Sequence, residues 1–132
     1  MEEKELIKQI FARCKTIAVV GLSPKPHRAS HHVSQYLQEQ GYKIIPVYPR
    51  EEKILGEKVY RTLTEIADKV DCVCIFRDPA EIMPVIEEAI AKKPFAIWMQ
   101  ETVVNETARK MAENKGINVI MDKCMYKEHA KL

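Results

Sequence analysis

Between Pro24 and His32 the chain carries two cations, Lys25 and Arg28, and three histidines, His27, His31 and His32, with no carboxylate among them. That set suits one kind of chemistry, the holding of phosphate oxygens by charge and by charge-assisted hydrogen bonds. A further cation, Arg50, stands just after the apolar run KIIPVY. The same residues also fit an ordinary solvated basic loop, so their meaning depends on the elements that position them.

Those elements are legible. A continuous apolar run, Ile17-Ala18-Val19-Val20, stops at Gly21, and the loop Ser23-Pro24-Lys25-Pro26-His27-Arg28 follows. Ala29, Val33, Tyr36 and Leu37 then recur at helical spacing, closed by Gly41. A buried strand, a glycine turn and a helix opening beside cations form a common nucleotide-phosphate site. The helix N-terminus supplies unpaired N–H groups and the positive end of its dipole.

The rest of the chain repeats the alternation. Residues 2–13 form a first helix with Leu6, Ile7, Ile10, Phe11 and Cys14 as its apolar stripe. Strands are expected over 17–22, 43–48, 71–76, 95–99 and 117–121, with a short one at Val59-Tyr60 after a polar loop over 50–58. Pro46 must lose pairing on one side of its strand. Helices are expected over 29–40 and 103–115, the latter with Val104, Ala108, Met111 and Ala112 inward. A capping box, Thr62-Leu63-Thr64-Glu65, starts a short helix to about Asp68. Asp78-Pro79 opens another, whose main part begins near Pro84 with Ile82, Met83, Ile86, Ala89 and Ile90 inward. Residues 122–132 read as a short charged tail that packs on the domain or on a neighbouring chain.

Short continuous apolar strands alternating with amphipathic helices imply an α/β domain: a single Rossmann-like, doubly wound, mainly parallel sheet with helices on both faces, spanning residues 1–132. Such sheets bind ligands beyond the C-terminal strand ends, at the switch point. The candidate site is then Gly21 to Ser30, Val47 to Arg50, Phe76 to Pro79 and Met99 to Thr102.

Composition narrows the classes. A net charge of +2 with no basic run argues against nucleic acid as a partner. The charged start MEEKELIKQ does not read as a signal peptide, and no apolar run approaches a membrane span, so the cytoplasm is expected. Cys72 and Cys74 fall on one face of a strand and read as small core residues; no second pair stands at metal-ligand spacing. Trp98 reads as core, and Asp71 and Asp78 as turn and cap residues. Cys124 and His129 lack the third group a nucleophile–base pair needs.

The first loop is no dinucleotide fingerprint. Of the three glycines of G-x-G-x-x-G only Gly21 is present; Ser23 and Pro26 take the other places. The second long strand ends in Tyr48-Pro49-Arg50, where NAD would call for an acid. A cation there suits a phosphorylated adenosine ribose, as in NADP or coenzyme A.

Several blocks in order, IAVVGLSPKPHRAS, YLQEQGYKIIPVYPR, GEKVY, IFRDP, AIWMQ, VVNE and INVIMDKC, resemble the stand-alone CoA-binding domain family, whose fold is similar to the N-terminal domain of the succinyl-CoA synthetase α subunit. The resemblance covers the chain from about Ile10 to His129. It implies a small cytosolic protein that binds coenzyme A or an acyl-CoA without catalysis of its own. The alternative is a nucleotide-binding subunit of an acyl-CoA-using or NADP-dependent enzyme. By this resemblance Gly21, Ser23 and Pro24 shape the turn, Lys25 and Arg28 neutralise phosphates, and Ser30 offers its N–H. Val47, Tyr48 and Pro49 line the adenine side, Arg50 stands near the ribose phosphate, and Phe76, Arg77 and Pro79 border the ligand. Trp98, Met99 and Gln100 follow the pantetheine arm. Apart from the resemblance, His31 and His32 in the first helical turn have two readings, one of them a phosphate contact or both exposed helix residues. The synthetase's glycine-rich loop is replaced by Ser-Pro-Lys-Pro, so synthetase activity is not expected. A homodimer through a sheet edge is possible.

Overall fold

The computed structural model describes residues 2–132. Helix α1 (Glu3–Arg13) carries Glu3 and Glu5 in its first turn and Arg13 in its last, matching the helix dipole. The sheet is built from β1 (Thr16–Val20), β2 (Lys43–Val47), β5 (Cys72–Ile75), β6 (Ala96–Met99) and β7 (Asn118–Ile120). They pair in the order β2-β1-β5-β6-β7, every neighbour parallel. Helix α2 (Ala29–Glu39) joins β1 to β2, α3 (Met83–Ala91) joins β5 to β6, and α4 (Glu106–Asn114) joins β6 to β7. The fold is the Rossmann-like α/β arrangement read from the pattern. The direction of winding reverses between β1 and β5, which makes their C-terminal ends the switch point.

Each strand sends alternate residues to two cores. Ile17, Val19, Cys72, Cys74, Ala96 and Trp98 meet residues of α1 and α2 on one side. Ala18, Val20, Val73, Ile75, Ile97 and Met99 meet residues of α3 and α4 on the other. Cys72 and Cys74 share a face, as their spacing requires. Asp71 ties the start of β1 to β5, its Oδ2 accepting the N–H groups of Lys15 and Thr16 at 2.8 and 3.0 Å.

Pro46 is tolerated because β2 is an edge strand. Its carbonyl accepts the Tyr60 N–H at 3.0 Å on the outer side, so the missing proline donor faces away from β1. The expected polar loop over 50–58 is in fact a hairpin of β3 (Lys53–Ile54) and β4 (Glu57–Lys58). Leu55 and Gly56 both take positive φ at its turn, +54° and +77°. Tyr60 makes a single parallel bridge to Val47 rather than a strand. The capping box is present in both directions but supports only a single 3-10 turn, Leu63–Glu65.

Three further corrections concern the C-terminal half. Helix α4 starts at Glu106, because the Asn105 side chain caps it by accepting the Ala108 N–H at 2.9 Å. Val104 therefore lies before the helix and is exposed, while Val103 is buried. The charged tail contains a helix, α5 (Met125–Ala130), with Met125 fully buried. Tyr126 and His129 of α5 pack on Tyr36 of α2, the Tyr126 ring stacked at 4.2 Å. No helix among the described residues is long and apolar enough to cross a membrane.

Candidate functional site

The ends of three strands are laced together at Gly21. Its N–H donates to Val47 O, and the Phe76 N–H donates to Val20 O, both at 2.9 Å. Gly21 has φ +86°, and a Cβ there would overlap the Phe76 carbonyl oxygen, so only glycine fits.

The loop beyond Gly21 is fixed by its own side chains. Ser23 is buried, and its N–H donates to Ser30 Oγ at 2.9 Å. Ser23 Oγ in turn accepts the Lys25 N–H at 3.1 Å, and Lys25 O accepts the Arg28 N–H at 3.0 Å. His31 Nδ1 lies 2.8 Å from the Ser23 carbonyl; a carbonyl only accepts, so Nδ1 carries the proton. His31 is thus a buried brace of the loop, whereas His32 is exposed and edge-on to Tyr126. The hydroxyl of Ser30 is likewise turned to the loop backbone.

A cavity of about 450 Å³ opens above this loop, lined by Gly21, Ser23, Lys25, Arg28, Ala29, Ser30, Tyr48, Arg50 and Phe76. No carboxylate lines it, and Lys25, Arg28 and Arg50 enter no salt bridge among the described residues. The first turn of α2 also holds no acid. The composition of the cavity suits an anion: three cations outside any salt bridge among the described residues stand beside a helix N-terminus.

Two further cavities adjoin it, and all three share Phe76. One, of about 460 Å³, is walled by Val47, Tyr48, Pro49 and Arg77 together with Arg61, Thr62, Leu63 and Glu88. The other, of about 430 Å³, runs past Ala29, Arg77 and Pro79 to Gln100 and Cys124. Together they form a cleft across the switch point.

Most of the residues singled out in the sequence converge here. Pro24 lies in the loop but lines none of the three cavities. Met99 and Trp98 are fully buried and offer the cleft no surface; Trp98 donates its Nε1–H to Lys123 O at 2.8 Å. Gln100, one residue on, does line the cleft, held by its Oε1 to the Met125 N–H and by its Nε2 to Cys74 Sγ. Arg77 faces Glu81 at 3.8 Å in an exposed pair of little energetic weight. Arg61, Glu88 and Cys124 are among the lining residues that sequence reading missed. Only the capping box beside Arg61 signalled an ordered segment there.

His129 Nδ1 pairs with the Tyr36 hydroxyl at 2.7 Å, and burial lowers its pKa. Burial pushes the Cys74 thiol up to about 12, and Cys72 is raised by its hydrogen bond to Cys14 and by burial. No group of three or more metal-ligating side chains occurs among the described residues.

The family described as a CoA binding domain matches residues 15–130. The chain belongs to the CoA-binding domain family. Within it, the chain is 44% identical to the uncharacterized protein YneT of Bacillus subtilis over 127 residues, 96% of this chain and 94% of that one. It superposes on a hypothetical protein from Pyrococcus horikoshii with a TM-score of 0.95 and 39% identity, covering 99% of this chain and 92% of that one. The α subunit of the ADP-forming acetate–CoA ligase II of Pyrococcus furiosus is 39% identical over 66 residues, 49% of this chain but 14% of the subunit. This CoA-binding domain therefore corresponds to a small part of that ligase subunit and to nearly the whole of the YneT-like proteins.

Proposed function

We propose that the protein binds coenzyme A or an acyl-CoA in the switch-point cleft and performs no chemistry on it. The observation that carries this reading is the carboxylate-free cavity in which Lys25, Arg28 and Arg50 surround the start of α2. A CoA nucleotide carries a pyrophosphate and a 3′-phosphate, and three cations with a helix N-terminus complement that charge. Tyr48 and Pro49 flank the adenosine, with Arg50 toward the ribose phosphate. The pantetheine arm leads past Phe76 and Pro79 toward Gln100 and Cys124, the course of the third cavity. The family membership supports the same ligand class.

The test is isothermal titration of the pure protein with CoA, acetyl-CoA, dephospho-CoA, NADP and NAD. CoA is expected to bind, with dephospho-CoA about tenfold weaker or more, since a lost charge-assisted contact is worth roughly 1.5–3 kcal/mol. Preference for NADP, or binding that ignores the 3′-phosphate, would reject the assignment. Incubation with acetyl-CoA is expected to release no free thiol beyond the rate in buffer.

A further inference from the structure

Arg61 is exposed, yet three backbone carbonyls converge on it. Its Nη1 donates to Tyr48 O at 3.1 Å, to Arg50 O at 2.9 Å and to Glu51 O at 2.9 Å. These three carbonyls belong to the chain leaving β2, the segment that brings Tyr48 and Arg50 to the anion cavity. Glu51 sits at φ +70°, a left-handed conformation that a non-glycine residue holds only when its surroundings impose it.

Arg61 is itself fixed from behind. Tyr60 lies along the outer edge of β2, its N–H donating to Pro46 O at 3.0 Å and its carbonyl accepting the Tyr48 N–H at 2.9 Å. The Arg61 N–H then donates to Glu65 Oε1 at 2.7 Å, within the capping box. The guanidinium thus leaves a braced backbone at the mouth of β2 and draws together carbonyls that would otherwise have only water.

We propose that Arg61 is a positioning residue for 3′-phosphate recognition: it clasps the loop after β2 and so holds Arg50 at the anion cavity. The inference rests on the CoA reading of the cleft. Its role differs from that of Arg50, which supplies charge to the ligand, because the Arg61 bonds run to backbone carbonyls.

Arg61→Met and Arg61→Lys in the full chain test this with two readouts. The first is amide hydrogen exchange of residues 48–52 without ligand, with β6 as the internal control. The second is the ratio of CoA to dephospho-CoA affinity. The Met variant is expected to exchange faster in that loop alone and to lower the ratio by about threefold or more. The Lys variant, with three donors on its ammonium, is expected to recover most of both. Unchanged loop exchange in Arg61→Met overturns the proposal, as does an equal weakening of both ligands, which would make Arg61 a wall of the cleft rather than a support for Arg50. Wild-type protein that binds neither ligand overturns the CoA reading and the ligand consequence with it. Wild-type preference for CoA that survives unchanged in Arg61→Met overturns the role of Arg61 alone.

Discussion

Gly21 and Phe76 meet backbone to backbone at the switch point, so closely that a Cβ on Gly21 would overlap the Phe76 carbonyl oxygen and lie 3.2 Å from its carbon. The contact leaves bare main chain between the two cavities that share Gly21, Tyr48 and Phe76. Gly21→Ala is therefore expected to lower stability by about 2 kcal/mol or more, from the left-handed φ and the overlap together. In thermal unfolding that is a fall of roughly 7 °C in Tm for a chain of this size.

Lys25→Ala and Arg28→Ala are each expected to weaken CoA by about tenfold to a hundredfold, because each removes a charge from a cavity with no acid to relieve. Thermal stability should hardly move, since neither cation enters a salt bridge among the described residues. Titration calorimetry at two salt concentrations checks both points; affinity that survives either change would remove the phosphate role of that residue.

Ser30→Ala leaves the buried Ser23 N–H without its acceptor. An unsatisfied buried donor costs about 1–3 kcal/mol. Urea unfolding should report that loss, and CoA binding should weaken with it because Lys25 is hung from the same turn. Ser30→Thr, which keeps the hydroxyl, is expected to restore binding.

Stability should fall on acidification through His129. Its pKa is lowered by burial from 6.5, so the unfolded chain takes up the proton first. Protons then favour unfolding: the penalty is absent well above pH 6.5, begins near that value and grows until pH passes below the folded pKa. The imidazole also packs edge-on to Phe11 and within reach of the Tyr36 hydroxyl, an environment suited to the neutral ring. Urea denaturation at pH 7.5 and pH 5 compares the two regimes. His129→Gln should flatten the difference, and an unchanged slope would point to other groups.

Thiol reactivity should separate the cysteines. Cys14, Cys72 and Cys74 are buried and Cys124 is half-buried, all four free. The Cys74 thiol, pushed to about 12, has essentially no thiolate at pH 8. A disulfide reagent is expected to titrate one thiol in the native protein and all four after denaturation, and Cys124→Ser should abolish the native signal. Saturating acetyl-CoA, which has no free thiol to consume the reagent, should slow the reaction, since Cys124 lines the third cavity.

The alternation of strands and helices was readable because each strand is a short apolar run and each helix carries its own period. The loop after β1 was readable for another reason: Gly21, Ser23, Lys25, Arg28 and Ser30 lie close together in sequence, so their proximity needs no tertiary information. The hairpin at Leu55-Gly56 and helix α5 were missed. The hairpin strands are only two residues each, and α5 is held largely by distant aromatic partners on α1 and α2.

Local sequence by itself determined the strand–turn–helix unit and its basic loop, whereas the overlap that bars a Cβ at Gly21 comes from Phe76, beyond a later strand. Tertiary structure alone decided which residues of the later strands face the cleft. A strand buried on both sides is apolar on both sides, so nothing in AIWMQ marks Met99 as core and Gln100 as lining until the two helical layers are in place. The adjacent histidines were ambiguous for a related reason. Neighbouring positions on a helix point about 100° apart, and only the return of the loop to Ser23 makes His31 the buried one. Arg61 acquired its place in the same way, through Tyr60 lying along the outer edge of β2.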